Sequence, residues 1–430
     1  MGNKQNKSKK NSQKKEEDDF EDRYFNRGIY IQPLTDYKYF NRRMPYTYEE
    51  KEISDEEQKR ISELVPEKID LTTFPEIKEP KIKVIIDTDL GTDWDDAMAL
   101  MYALRIPHIE ILGITTNYGI PKLRARVVQK ILDAFEKQNP QAKKIPVISG
   151  ASRPLGTHRE LMIYGHEGLP FFETRELKQN LKKDYIMNQE QENASKFIVD
   201  QIKNNPNEVK IISIGIPTNI GLAIKNNPEI IPLVKEIVIM GCGSAIGEGR
   251  KTGFNSIEEI KNGKIISLYP NHNISGDSLA TKIIFDSKIP IKIVSHTVSS
   301  KFWSEGPVID FFRNKAKQEK DKANPETAEG AVGLLMEEWF SRRMRQNGQC
   351  PHDPLTVNEA VFGGDDSPII YARGWVIIHE WAAFGTFIPR NDGPHFLGVD
   401  VKKNNNFLSR LEKFIIGNQD YLNTIFNSFI

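Results

Sequence analysis

From Lys81 onward, short runs of β-branched residues alternate with segments whose apolar positions recur at helical spacing. The runs that predict strands are Lys83–Asp89, Ile109–Thr116, Lys144–Ser149, Val209–Ile214, Glu236–Met240 and Ile291–Val294. The segments that predict helices are Asp95–Leu104, Pro121–Lys137, Glu192–Lys203, Asn219–Lys225, Ser275–Phe285, Met336–Arg345 and Asp353–Phe362. Strands that alternate with helices predict an α/β fold with a doubly wound, mostly parallel sheet.

The part of the chain before this pattern divides into two segments. Residues 1–19 are polar, with a basic stretch followed by an acidic one, and they predict a disordered charged tail. Residues 20–80 are rich in aromatic side chains but irregular in pattern. They predict either an extension that wraps the main domain or a docking arm for a partner. Residues 81–430 then form one large domain.

Composition narrows the classes of protein to which the chain can belong. The 59 basic residues balance the 59 acidic residues, so nothing indicates nucleic acid as a partner. Only two cysteines are present, Cys242 and Cys350, which is typical of a reducing compartment and favours a cytoplasmic location. No apolar run approaches the length of about 18 residues that a transmembrane helix needs.

An unusually dense set of carboxylates follows the first predicted strand. Side chains alternate along a strand, so Asp87 and Asp89 share one face, and ligands of such sheets bind beyond the carboxyl ends of the strands. Gly91 permits a sharp turn, after which two acids open the next helix. Ionised carboxylates this close repel one another unless a hard cation lies between them, which predicts a divalent-metal site. The five candidates are Asp87, Asp89, Asp93, Asp95 and Asp96.

This stretch resembles the N-terminal signature of the inosine-uridine-preferring nucleoside hydrolases, which reads Asp-x-Asp-Pro-Gly-x-Asp-Asp-Ala. The matching positions are Asp87, Asp89, Gly91, Asp95, Asp96 and Ala97. Leu90 replaces the proline, and two extra residues, Asp93 and Trp94, precede the acidic pair. The longer form resembles a variant branch of the family.

Later segments resemble other parts of the family in the same order. They are Gly113–Thr116, Gly215–Ile220, Ile237–Gly241, Asn273–Asp277 and His352–Pro354. The resemblance covers roughly residues 81–430 and implies the family's fold and its hydrolysis of the N-glycosidic bond of a ribonucleoside.

The resemblance also implies a calcium ion that binds the ribose hydroxyls and the attacking water. Its side-chain ligands would be Asp89, Asp96 and Asp353, and the backbone carbonyl of Ile214 would be another. Asp89 would also act as the general base. Since Asp353 precedes Pro354, it is expected to be the N-cap of a helix.

Substrate-binding roles are implied for a further set of residues. Asp95 and Asn273 would bind ribose, and Asp87 would support the acids above it. His352 would protonate a leaving purine, because histidine titrates near neutral pH. Further expected substrate contacts are Asn271, Met240 and His166.

Three positions depart from the family pattern around the sugar. Ile120 stands where the family has asparagine, Tyr164 where it has histidine, and Asn271 where it has glutamate. Candidates to replace the lost groups are His166, Glu167, Asn117 and Asn271. The metal-binding set is thus complete while the sugar contacts are altered, which indicates either a different nucleoside substrate or weak turnover.

Two alternatives remain at the level of the sequence. A haloacid-dehalogenase-type phosphatase also begins with a strand and Asp-x-Asp, but Gly91 stands where its pattern wants threonine or valine. The other alternative is a catalytically inactive protein on the same fold, which would join a larger, cytoskeletal assembly through residues 20–80. A homo-oligomer is the remaining expectation for partners.

Overall fold

The strands form where the sequence carries its β-branched runs. In this computed structural model the strands are β1 (Ile82–Thr88), β2 (Ile109–Thr116), β3 (Val147–Ser149), β4 (Lys210–Ser213), β5 (Glu236–Met240), β6 (Gly243–Ser244), β7 (Ile266–Tyr269), β8 (Ile291–Val294), β9 (Ser304–Glu305), β10 (Gly348–Gln349), β11 (Ile369–His379), β12 (Phe384–Pro389) and β13 (His395–Val401). The structure describes residues 81–156, 167–172, 179, 191–244, 265–269, 271–320, 324–343, 348–364, 366–379 and 384–417. The predicted tail (1–19) and extension (20–80) lie outside these residues.

The helices follow the amphipathic segments of the sequence. They are α1 (Asp95–Leu104), α2 (Pro121–Gln138), α3 (Asn193–Asn204), α4 (Thr218–Asn226), α5 (His272–Gly276), α6 (Ser278–Asp286), α7 (His296–Ser299), α8 (Pro307–Glu319), α9 (Ala328–Arg343), α10 (His352–Phe362) and α11 (Phe407–Ile416), with a 3₁₀ turn at Pro228–Leu233. In the described part of the chain, no helix combines the length and the apolar character needed to cross a membrane.

Eleven of the described strands form one sheet in the order β3-β2-β1-β4-β5-β8-β13-β11-β12-β7-β6. Pairing is parallel from β3 to β13 and antiparallel from β13 to β6. The predicted doubly wound, mostly parallel sheet is therefore confirmed. The antiparallel strands at its far side were not predicted.

Both faces of the sheet are covered. Along β1, Val84 and Ile86 belong to a core shared with α1, α2, α8, α9, α10 and α11, whereas Ile85 belongs to a second core shared with α3, α4 and α6. All three side chains are at most 1% exposed. Strand side chains alternate between faces, so a continuous apolar run fills both cores, as expected for a parallel sheet buried on two sides.

The chain reverses its direction of travel across the sheet at β1. Strands β2 and β3 are added on one side of β1, and the chain then crosses to β4 on the other side. Ligands of open α/β sheets bind at such a switch point, beyond the carboxyl ends of the strands. The residues that follow β1 and β4 are Asp89 and Ile214, two of the predicted ligands.

Several predicted boundaries were wrong. The predicted helix Ser275–Phe285 is two helices, because Asp277 leaves the helical conformation and accepts a hydrogen bond from the Ala280 amide at 3.0 Å. The third strand is shorter than predicted and the helix expected at Met336–Arg345 begins earlier.

The prediction that Asp353 is an N-cap was also wrong. The helix begins at His352, its N-cap is Pro351, and its N-terminus has no side-chain cap. Pro354 is tolerated in this first turn because the first amides of a helix need no partner within the helix.

Candidate metal centre and active site

Three buried carboxyl groups meet beyond the carboxyl ends of the strands. The ligand atoms of Asp95, Asp96 and Asp353 all lie within 4.8 Å of one another, and each residue is at most 5% exposed. Asp95 and Asp96 come from the first turn of α1, and Asp353 comes from the first turn of α10. The fold thus joins residues that are more than 250 positions apart in the chain. We call these three residues the carboxylate trio.

Burial raises the pKa of every carboxyl group in the carboxylate trio. Neighbouring charges add to the effect: Asp93 and Asp96 for Asp95, Asp89 for Asp96, and Asp95 for Asp353. A divalent cation removes this repulsion, and carboxylate oxygens are the ligands that hard cations prefer. The donor set therefore fits a divalent metal ion.

Of the other two predicted ligands, Asp89 lies near the trio and Ile214 lies at the end of the neighbouring strand. The charge of Asp89 raises the pKa of both Asp96 and Asp353, so its carboxylate is near both. The Ile214 amide donates to the carbonyl of Asp87 at 2.9 Å, which brings the end of β4 against the end of β1. The trio includes Asp95, which the resemblance assigns to ribose, in addition to Asp96 and Asp353.

Asp87 lies beneath these acids in a shell of donors. Its carboxylate accepts hydrogen bonds from Thr115 Oγ1 (2.6 Å), Asn219 Nδ2 (2.7 Å) and Asn117 Nδ2 (3.1 Å). Burial nevertheless raises its pKa to about 7. The Asn117 oxygen also accepts from the Ile216 amide at 3.2 Å, so both ends of this side chain have partners within the protein. Asn117 is therefore positioned to support Asp87, although the sequence suggested it as a substitute sugar contact.

The predicted sugar contacts Asn273, Asn271 and Met240 lie together. Asn273 Nδ2 donates to the carbonyls of Ile214 (2.9 Å) and Met240 (3.3 Å), so Asn273 is hydrogen-bonded directly to the predicted ligand Ile214. Asn271 caps α5 by accepting from the Ile274 amide at 3.1 Å, and its Nδ2 lies 3.3 Å from Met240 Sδ. The residue that replaces the family's glutamate thus serves as a helix cap.

His352 lies next to the trio, against two side chains that the sequence did not indicate. Its Nδ1 lies 2.8 Å from Ser299 Oγ, and its ring stacks on His296 with centroids 5.0 Å apart. Burial, and then the neighbouring His296, lowers the pKa of His352 to about 3. The sequence carries no sign of these surroundings, and the role of His352 toward a leaving purine stays a prediction.

The remaining altered positions are only partly described. Ile120 is fully buried, and its apolar side chain offers the sugar no polar group. Glu167 is 1% exposed, and the next residue, Gly168, donates its amide to the Gly91 carbonyl at 3.2 Å. Tyr164 and His166 lie outside the described residues.

His272 is a neighbour of the site that the sequence did not single out. Its Nε2 lies 3.8 Å from Asp89 Oδ2, and its ring meets the ring of Tyr118 edge to face at 5.7 Å. His272 lies between Asn271 and Asn273, two predicted sugar contacts, and this position is the signal by which the sequence could have indicated it.

The sequence also indicated no role for Arg124. This residue shapes the loop from Asp89 to Asp96, which we call the acid-bearing loop. This side chain is 1% exposed and comes from the first turns of α2. Its guanidinium donates to the carbonyl oxygens of Asp89, Leu90 (3.3 Å) and Tyr118 (3.0 Å) and to Thr92 Oγ1 (3.0 Å). One buried cation therefore holds two loops that border the site. Nothing in a helical pattern distinguishes such an arginine from a solvated one.

Replacing Arg124 by methionine is expected to lower the free energy of unfolding by about 2 kcal/mol or more, since three carbonyl oxygens lose their charged donor. The measurement is the midpoint of chemical denaturation. Arg126→Met is the matched control: it lies on the exposed side of the same helix, over the ring of Phe172. Equal midpoints for the two variants would contradict the role given to Arg124.

Comparison with known proteins agrees with this geometry. The sequence profile of the family described as inosine-uridine preferring nucleoside hydrolase matches residues 84–389. A probable uridine nucleosidase 1 of Oryza sativa subsp. japonica is 29% identical over 285 residues, which is 65% of this chain and 76% of that protein. The pyrimidine-specific ribonucleoside hydrolase RihB of Escherichia coli (strain SE11) is 30% identical over 217 residues, which is 49% of this chain and 58% of that protein.

Solved structures show the same fold. A plant nucleoside hydrolase, the PpNRh1 enzyme, superposes with a TM-score of 0.57 at 20% identity and covers 79% of this chain and 100% of its own. A purine-preferring ribonucleoside hydrolase from Gardnerella vaginalis gives 0.57 at 22% identity and covers 79% of this chain and 99% of its own. The match over residues 84–389 confirms the resemblance found in the sequence and removes the phosphatase alternative. The chain belongs to the inosine-uridine preferring nucleoside hydrolase family of N-glycosidases.

Proposed function

We propose that the chain hydrolyses the N-glycosidic bond of a pyrimidine ribonucleoside, with uridine as the first substrate to test, in a calcium-dependent reaction. The observation that supports a working site most directly is the buried carboxylate trio Asp95, Asp96 and Asp353 at the switch point of the sheet. The base preference is taken from the relatives, whose names are probable uridine nucleosidase and pyrimidine-specific ribonucleoside hydrolase.

Calcium is proposed because the candidate donors are all oxygen atoms, which suit a hard cation of flexible coordination. Its ligands would be Asp89, Asp96 and Asp353, with the Ile214 carbonyl, whose oxygen accepts one hydrogen bond from Asn273 and keeps a second lone pair. When bound, such a cation neutralises the charge of the acids and lowers the pKa of nearby water.

The protein's own groups have distinct roles in the proposed reaction. Asp89 accepts a proton from water as the water oxygen forms a bond to C1′ of the ribose. The bond between C1′ and the base nitrogen breaks, and its electron pair leaves with the base. Asp95 and Asn273 hold ribose hydroxyls, while the nearby carboxylates stabilise the positive charge that develops on the sugar.

His352 fits this scheme as a neutral group. With its pKa lowered to about 3, the ring is neutral at neutral pH and can hydrogen-bond to the leaving base. Its action as the acid toward a purine stays a prediction from the resemblance.

The direct test measures the release of ribose and free base from uridine, cytidine, inosine and adenosine by purified protein with calcium. We expect release from uridine that exceeds release from inosine. Faster cleavage of inosine would contradict the base preference. No release from any of the four would contradict the proposed function.

The inactive, assembly-bound alternative gains no support from the described residues, because the extension it depends on lies outside them. The homo-oligomer likewise stays a prediction. The same assay decides the first point, since an inactive protein releases no ribose at any calcium concentration.

A further inference from the structure

The loop between Asp89 and Asp96 carries two more residues than the family signature, Asp93 and Trp94. Trp94 is fully buried and meets the rings of Phe312 and Phe340 edge to face, with centroids 5.9 and 5.8 Å away. The second extra residue thus anchors the loop in the helical layer formed by α8 and α9. The first, Asp93, is left partly exposed beside the carboxylate trio.

Asp93 connects the two segments that supply the trio. Its Oδ1 accepts a hydrogen bond from the Trp94 amide and another from Gln349 Nε2, both at 2.7 Å. Gln349 ends β10, three residues before His352. The charge of Asp93 also raises the pKa of the Asp95 carboxyl group, two residues further along the chain. Asp93 therefore brings the Gln349 amide to the edge of the site.

The contact with Asp93 determines which way the Gln349 amide faces. A carboxylate oxygen in this contact accepts, so the amide must present its nitrogen, and its oxygen points elsewhere. That oxygen, Oε1, has almost no accessible surface and has no donor among the residues that the structure describes, so a ligand's donor reaches it only when a neighbouring group moves aside. A buried acceptor without a donor costs free energy, and a ligand that brings a donor recovers it.

A ribonucleoside carries hydroxyl groups that can donate. Asp95 is the residue proposed to hold a ribose hydroxyl, and Asp93 and then Gln349 are its successive neighbours. At two positions where the family has polar sugar contacts, this chain has lost them. Ile120 is buried and apolar, and Asn271 is used as a helix cap. A hydroxyl acceptor at Gln349 compensates for such a loss.

We propose that Gln349 is a further substrate-binding residue, whose Oε1 accepts a hydrogen bond from one ribose hydroxyl, and that Asp93 positions its amide. This inference rests on the proposed function, because it takes a ribonucleoside as the ligand. It assigns a role to the extra residues of the acid-bearing loop: Trp94 anchors the loop and Asp93 orients Gln349.

The test compares Gln349→Met with the wild-type enzyme on uridine and on its 2′-deoxy, 3′-deoxy and 5′-deoxy analogues. Methionine keeps the length of the side chain and removes both the oxygen and the nitrogen of the amide. We expect kcat/KM for uridine to fall about 10-fold, as for one lost hydrogen bond to substrate. For the one analogue that lacks the partner hydroxyl, the same substitution should change kcat/KM less than about 2-fold.

Two variants of Asp93 and one control sharpen the result. Asp93→Asn keeps an oxygen that accepts from Gln349, so the selectivity among analogues should persist. Asp93→Ala removes that oxygen and should reduce the selectivity, as Gln349→Met does. Gln129→Met, an exposed glutamine on α2, should change nothing. An equal loss on uridine and all three analogues would overturn the proposal, since a structural role does not distinguish hydroxyls.

A binding measurement separates this inference from the proposed function. Calorimetric titration of the calcium-loaded protein with ribose, 2-deoxyribose, 3-deoxyribose and 5-deoxyribose requires no turnover. Weaker binding of ribose by Gln349→Met, with one deoxy sugar unaffected, supports the role of Gln349 even if no nucleoside is cleaved. Equal affinities of wild type and Gln349→Met for every sugar, or no sugar binding by the wild type, would overturn it.

Discussion

Replacing Asp89 by asparagine is expected to lower kcat for uridine about 10³-fold at saturating substrate and calcium, the range typical for loss of a general base. Asparagine has nearly the same shape but does not accept the proton of the attacking water. It also removes one of the charges that stabilise the positive sugar. The backbone at this position is held by Arg124, so the substituted side chain should keep its place.

The measurement must separate a lost base from a weakened metal site. The calcium affinity of Asp89→Asn is therefore determined first, and kcat is compared at calcium concentrations that saturate each protein. Asp133→Asn, at an exposed position of α2, is the matched control and should behave as wild type. If saturating calcium restores kcat to within about 10-fold of wild type, Asp89 is a ligand and not the base.

Removing divalent cations with a chelator is expected to abolish ribose release and to lower the thermal unfolding midpoint. An ion that binds only the folded protein stabilises it by about 2.7 kcal/mol at a concentration 100 times its dissociation constant. Restoring calcium should reverse both effects. Recovery with magnesium but not with calcium would contradict the proposed ion, because magnesium demands smaller, octahedral coordination.

The same site makes calcium affinity depend on pH. Burial and mutual repulsion raise the pKa of Asp95, Asp96 and Asp353, so the folded protein without metal holds protons that the ion must displace. Affinity should therefore increase with pH, and calorimetry in buffers of different ionisation enthalpy should show that binding releases protons. Affinity that is independent of pH would contradict the ligand set.

Stability of the metal-free protein should show the opposite trend. A carboxyl group whose pKa is raised on folding binds more protons in the folded state, so the free energy of unfolding falls as pH rises. For Asp87 the effect is absent below its ordinary pKa of 3.8 and complete above its folded pKa of about 7. The midpoint of denaturation of the metal-free protein, measured from pH 4 to 8, checks this sign.

Much of the fold could be predicted because the relevant signals are local. The bounds Asp95–Leu104, Ile109–Thr116, Glu236–Met240 and Ile291–Val294 agree with the structure, since apolar runs and helical spacing lie within a few consecutive residues. The strands β11, β12 and β13 were not predicted. β11 pairs antiparallel with both β12 and β13, and these strands join the predicted sheet only through the parallel pairing of β13 with β8, a distant strand that no local pattern indicates.

The break between the two helices at Asp277 was not predicted from the sequence, for a related reason. Its carboxylate accepts from the amides of Leu155 (2.6 Å) and Gly156 (3.1 Å) and from Thr218 Oγ1 (2.7 Å), as well as from its own helix. These partners are more than 50 residues away. A local helical pattern carries no information about them, so it predicted one continuous helix.

The sequence by itself determined that this chain has a strand, a glycine turn and a helix that opens with acids, and that it resembles one family. These features depend only on neighbouring residues. The tertiary structure alone decided which acids meet, that the surroundings of His352 lower its pKa, and that Arg124 and Gln349 face the acid-bearing loop. Burial, pKa and hydrogen-bond partners are properties of atoms brought together from distant segments, so only the folded chain possesses them.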